Sequence, residues 1–206
     1  RGGLILARGN EDIEKKLNLP VLGTIPVWSG AIGAAKALED PKSELSEGYY
    51  SVRTALQFST EDGVPPSLLI TSSSPGEGKS TSALALASGF ARLGMRVLLV
   101  DGDMRDPSLH RMLSRDNGVG LSNLLAGSPE MSPALQPTNH RNLTFLACGP
   151  PPPVARSSRR ILLQVKLCVL TPAAWWLSHP RCSTTSSLLA ASRTPYSAAR
   201  GSSWLV

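Results

Sequence analysis

SLLITSSSPGEGKST, residues 67–81, decides the fold. Its first five residues are a short apolar run of the kind that forms a buried strand. A loop rich in serine and glycine follows, and then a helix over residues 79–93, in which Ala83, Leu86, Ala87 and Phe90 recur at helical spacing. The loop fits the phosphate-binding pattern G-x-x-x-x-G-K-[ST] at every position but the first, where Ser73 stands. Glycine lets backbone N–H groups turn inward around an anion, and the helix N-terminus adds a favourable dipole. Ser74, Pro75, Gly76, Glu77, Gly78, Lys79, Ser80 and Thr81 are therefore the candidate cradle. Lys79 supplies a point charge for the outer phosphates, and the Ser80 hydroxyl suits a Mg²⁺ ligand.

Working outward, Gly94 ends the helix and residues 96–100 (RVLLV) read as a second buried strand. Strand, loop, helix, strand implies a parallel βαβ unit. The second strand runs into Asp101-Gly102-Asp103-Met104-Arg105. In an open α/β sheet, ligands bind at the carboxyl ends of the strands, which is where these carboxylates emerge. A strand-like backbone would point Asp101 and Asp103 to the same side. Two such groups suit Mg²⁺ binding and acceptance of a proton from an incoming hydroxyl.

Further out the pattern is weaker. Residues 11–17 read as a helix, 21–25 as a short strand, 28–37 as a loop, and 46–59 as a helix opened by Ser46 and Glu47. Short helices are expected over 107–113 and 121–126, and a third strand over 142–147. The expected architecture is α/β: a three-layer P-loop NTPase fold with a parallel sheet, incomplete on its C-terminal side. Three segments follow: 1–40 as a preceding segment, 41–153 as the core, and 154–206 as a tail.

The tail differs in texture. Residues 131–206 contain no Asp or Glu, although ordinary domains carry about 25% charged residues of both signs. Residues 1–130 hold 13 basic against 15 acidic side chains, so the +6 net charge comes from the tail. No basic stripe accompanies the phosphate loop, which argues against nucleic-acid binding. The tail reads as out of frame from about residue 154, poorly ordered, with residues 161–170 its only strand candidate. That run holds Gln164 and Lys166 and is too short to span a bilayer. Cys148, Cys168 and Cys182 form no metal-ligand spacing, and His110, His140 and His179 are scattered. Reduced thiols fit a cytoplasmic compartment. Arg1 in place of Met reads as a start inside a longer protein.

At the two motifs the sequence resembles the bacterial tyrosine kinases of capsule and exopolysaccharide synthesis. The family's Walker A is matched by residues 73–81, and its Walker A′, three apolar residues then D-x-D-x-R, by residues 98–105. Residues 19–26 (LPVLGTIP) and 46–60 are similar as well. The resemblance implies autophosphorylation on tyrosine with ATP and Mg²⁺. It implies that Lys79 holds the β- and γ-phosphates and that Ser80 and Asp101 serve the metal. Asp103 assists the metal or accepts the tyrosine proton, and Arg105 completes the catalytic set. It also implies a chain-length-determinant membrane protein as partner, in cis or in trans, at the inner face of the plasma membrane. Three departures limit this. The family's oligomerisation motif E-x-x-R-x-x-R is matched by Glu47 and Arg53, but its middle position is Tyr50, which weakens the expected homo-oligomer. No Walker B carboxylate follows, since the last Asp is Asp116. The acceptor tyrosine cluster is missing: the chain has only Tyr49, Tyr50 and Tyr196. Weak or absent turnover is therefore expected. A ParA/MinD-type ATPase is the alternative, but that branch carries a second lysine where Ser74 stands here.

Overall fold

The computed structural model describes residues 10–59, 63–72, 74–127, 132–150 and 166–171. They fall into two compact units, Arg1–Val64 and Pro65–Val206.

The first unit is helical. Helix α1 (Asn10–Leu17) ends where Asn18 turns left-handed, at φ 53°. The expected strand at 21–25 does not form. No ladder partner lies beside it among the described residues, and the Val21 N–H is taken by Glu14 Oε1 at 3.3 Å. The segment instead lies across α3 (Glu44–Gln57), where a Cβ on Gly23 would meet Val52 Cγ2 at 2.8 Å. Between them, the stretch read as loop contains the one-turn helix α2 (Ala34–Ala37). Helix α3 starts two residues earlier than expected because Ser43 is its N-cap, with its side chain accepting the Ser46 N–H at 3.1 Å. Leu45, Tyr49, Val52 and Leu56, spaced four, three and four, are its buried stripe. Tyr50 points outward, 61% exposed, with the Arg53 guanidinium 4.6 Å from its ring centroid.

The second unit is built on a five-stranded sheet in the order β1-β5-β2-β4-β3. Strand β1 (Ser67–Ile70) is at one edge, and its pleat buries Leu68 and Ile70 on one face while Leu69 is exposed on the other. Helix α4 (Lys79–Arg92) begins after Gly78 and stops at Gly94, whose φ is +85°. The Gly94 N–H reaches Ala91 O and the Met95 N–H reaches Phe90 O, a Schellman closure of the helix end. Strand β2 (Arg96–Asp101) pairs in parallel with β4 (Leu143–Leu146), Leu99 opposite Phe145. Short helices α5 (Leu109–Leu113) and α6 (Leu121–Leu125) lie between them in sequence. Strand β3 (Leu135–Pro137), which sequence patterning misses, pairs antiparallel with β4.

The pleat divides β2 and β4 into two faces. Val100 and Leu146, with Leu98 behind, pack against Val119, Leu121, Leu124 and Ala134 on the α6 side. Val97, Leu99, Leu143 and Phe145 point the other way and are all buried, on the side that α4 covers with Phe90, Leu86 and Ala87. The result is three layers, as expected.

The sheet is mixed rather than parallel throughout. Strand β5 (Lys166–Thr171) lies between β1 and β2 and runs antiparallel to both, so β1 and β2 keep the common direction of a βαβ unit but do not touch. Chain direction explains this. Strand β4 delivers the chain to the edge holding Asp101, and Lys166, the first residue of β5, pairs with Asp101 and Ile70 at that same edge. A parallel β5 would need a crossover back to the opposite edge. This strand overlaps the second half of the 161–170 candidate and ends one residue past it; the rest of the tail lies outside the described residues.

Candidate nucleotide site

The loop from β1 to α4 is open where glycine must be. Gly76 has φ +84° and Gly78, the N-cap of α4, has φ +89°. A Cβ at either would meet nothing within 4 Å, so the loop bounds free space, as a phosphate cradle must. Ser74, Pro75, Gly76 and Glu77 are exposed, while Gly78, Lys79, Ser80 and Thr81 are half-buried. Ser72 Oγ donates to Ser74 O at 3.0 Å across the loop. Ser73, the departure from the glycine pattern, is outside the described residues. The first helical bond, from the Ser82 N–H to Gly78 O at 2.8 Å, places Lys79 and Ser80 in the opening turn, where N–H groups have no helical acceptor.

The loop after β2 brings the second motif to this turn. Asp101 and Asp103 are both fully buried. They do not sit side by side as on a continuing strand, because the chain turns: the Asp103 N–H donates to Asp101 Oδ1 at 3.1 Å. Asp101 Oδ2 accepts from the N–H groups of Ser108 and Leu109, at 3.1 and 3.0 Å, and so caps α5. Asp103 Oδ1 accepts from the N–H groups of Arg105 and Asp106, at 3.2 and 3.1 Å. Its other oxygen, Oδ2, lies 3.2 Å from Lys79 Nζ. That ion pair joins the two motifs. Arg105 is exposed, and its N–H bond to Asp103 is its link to the pair.

One participant escapes sequence reading. Ser108 Oγ is 2.6 Å from Ser80 Oγ. A serine directly before a helix normally caps that helix. Ser108 holds the N-cap position of α5 yet makes no capping bond with its side chain, because Asp101 does so. The Pro107-Ser108 start is visible in sequence; the direction of the hydroxyl is not.

These residues fit a nucleotide phosphate with a divalent cation: an open glycine cradle, a lysine at its floor, a hydroxyl in the first helical turn and a buried carboxylate beside the lysine. Among the described residues no group of three or more His, Cys, Asp or Glu could hold a metal by itself. Such a site would share the cation with the phosphates, as Mg²⁺ sites do. No helix among the described residues is long and apolar enough to cross a membrane.

A ParA family model, described as NUBPL iron-transfer P-loop NTPase, matches residues 63–150, the stretch containing both motifs. The tyrosine-protein kinase YwqD of Bacillus subtilis is 44% identical over 117 residues, covering 57% of this chain and 49% of that protein. The putative tyrosine-protein kinase CapB of Staphylococcus aureus is 37% identical over 115 residues, covering 56% of this chain and 50% of its own length. The chain thus spans about half the length of both relatives. Among solved structures, the chimerical protein CapA2B2 superposes with a TM-score of 0.62 at 37% identity, over 71% of this chain and 63% of that one. The BceF tyrosine kinase domain does so with a TM-score of 0.60 at 30% identity, over 74% of this chain and 67% of its own. The ParA match reflects the P-loop fold common to both groups, and the chain belongs to the family of bacterial tyrosine-kinase domains.

Proposed function

We propose that this chain is the ATP-binding core of a protein-tyrosine autokinase that regulates capsule or exopolysaccharide synthesis. The observation that carries the reading is the Lys79–Asp103 pair at 3.2 Å beside an open glycine cradle. Bound ATP would supply the phosphoryl group, and Mg²⁺ would offset its charge. Gly76, Glu77 and Gly78, with Ser74, Pro75 and Thr81 around them, line the cradle. Lys79 holds the outer phosphates. Ser80 and Asp101 serve the cation side, Asp101 through the turn it holds. Asp103 keeps Lys79 in place and, in this reading, assists the metal or accepts the proton of the tyrosine hydroxyl. Arg105, exposed on the loop, contacts the phosphates or the incoming protein. Catalysis of this kind is positioning and charge stabilisation, so turnover depends on completing the carboxylate set. With no acidic residue after Glu130, this chain turns over slowly. Its partners in this reading are a second copy of itself and a chain-length-determinant membrane protein, met on the cytoplasmic side of the plasma membrane.

The test is incubation with labelled ATP and Mg²⁺ beside Lys79→Met and Asp103→Asn. Nucleotide binding with weak phosphotyrosine, both lost in Lys79→Met, supports the reading. The ParA match to residues 63–150 keeps a plain ATPase as the second reading. Free phosphate without labelled protein would favour it, and absence of nucleotide binding would sink both.

A further inference from the structure

Ser108 lies 28 residues from Ser80 in sequence, yet their hydroxyl oxygens are 2.6 Å apart. At that separation one hydroxyl donates to the other. The backbone around Ser108 is tightly held: its own N–H and that of Leu109 both donate to buried Asp101. Because that carboxylate caps α5, the Ser108 hydroxyl is released from the capping role its position would assign it. Ser80 sits in the first turn of α4, at the mouth of the glycine cradle. A serine that ligates a cation must present an oxygen lone pair to it, so its proton must be donated elsewhere. Ser108 Oγ is a built acceptor for that proton.

We propose that Ser108 is a positioning residue. It accepts the Ser80 hydroxyl proton and fixes the Ser80 rotamer, so that the Ser80 oxygen faces a Mg²⁺ ion carried by the nucleotide. The relay runs from Asp101 through the Ser108 backbone to Ser80. It gives Asp101 a means of acting on the cation through Ser108, without direct contact. The inference rests on the reading of the cradle as an ATP site and adds to it a residue that neither motif includes. Groups that orient a metal ligand typically change metal affinity by about 10–100-fold when removed.

The test is a titration of the protein with a fluorescent ATP analogue, once in EDTA and once in Mg²⁺, for the unaltered chain, Ser108→Ala, Ser108→Thr and Ser80→Ala. Ser108→Ala leaves the N–H bond to Asp101 intact and removes only the hydroxyl. Its affinity in EDTA is expected within about twofold of the unaltered chain, whereas the gain in affinity on adding Mg²⁺ falls by about tenfold. Ser108→Thr restores the gain, and Ser80→Ala abolishes it. A full Mg²⁺ gain in Ser108→Ala would overturn the inference while leaving the ATP reading standing. So would an equal loss in EDTA and Mg²⁺, which marks a merely structural role, or failure of threonine to restore the gain. An unaltered chain that binds no nucleotide in either buffer would overturn the ATP reading, and the inference with it.

Discussion

Replacing Lys79 by methionine should destabilise the nucleotide-free protein as well as empty its phosphate site. The side chains of Lys79 and Asp103 are 11% and 0% exposed, and the charged atoms are 3.2 Å apart. At an effective dielectric constant of about 20, their direct attraction is about 5 kcal/mol. Desolvation offsets much of that in the intact pair, but removing one partner leaves the other buried without it, which costs about 3–5 kcal/mol. Asp103 keeps its two backbone N–H bonds from Arg105 and Asp106, which places the expected loss at the lower end, about 3 kcal/mol. Asp103→Asn should cost less, because the ammonium of Lys79 can still reach water. The double variant buries no lone charge and should be more stable than Lys79→Met alone, giving a coupling of about 2 kcal/mol. Urea unfolding of the four proteins without nucleotide measures each quantity. A Lys79→Met protein within about 1 kcal/mol of the unaltered chain, or simple additivity of the two changes, would refute the reasoning.

Three further outcomes are expected. Gly78→Ala places an L-residue at φ +89°, which costs about 1–2 kcal/mol, and turns a methyl into the open cradle; calorimetry should show a lower melting temperature, and a titration weaker nucleotide binding. Gly120→Ala drives its Cβ into Ala147 O and Gly149 N, an overpacking that costs about 1–3 kcal/mol. Hydrogen exchange should then lose protection at Leu121 and Ser122, whose N–H groups donate to Ala147 O and Cys148 O at 2.8 Å; unchanged protection there would contradict the packing. Tyr50→Arg completes the Glu47-x-x-Arg-x-x-Arg53 spacing on the exposed face of α3 and should raise self-association in sedimentation velocity. An unchanged mass at high concentration would count against a helix-borne interface.

Much of the fold is legible because its signals are local. Helix α4 carries an apolar period, a glycine before it and Gly94 after it, and the structure starts and stops it at those glycines. Strands β2 and β4 are apolar runs bounded by polar turns. What fails is what depends on distant partners. Residues 21–25 have strand composition but find no ladder, and β5 has a direction set by where β4 leaves the chain. In the site, the motifs identify Lys79 and Asp103, and the structure pairs them. The division of labour between the two aspartates was not legible: the turn after Asp101 commits its oxygens to backbone N–H groups, whereas Asp103 keeps one for the lysine. Ser108 was invisible because its hydroxyl is directed by a helix cap that another residue supplies.

Strand β5 also imposes an order of assembly. Ile70 and Lys166 are neighbours in the sheet, but nearly half of the chain separates them. Among the described residues β1 has ladder bonds to β5 and to no other strand. As the chain leaves the ribosome, β2, β4 and β3 can pair once residue 146 has emerged, whereas β1 must wait for residues 166–169. Long-range pairings of this kind close late and expose unpaired edges until they do. The phosphate loop hangs from the end of β1, so the cradle is anchored to the strand whose hydrogen bonds arrive last. A nascent chain that had emerged only as far as about residue 150 would display a folded β2–β4 half with the nucleotide loop still untethered at its root.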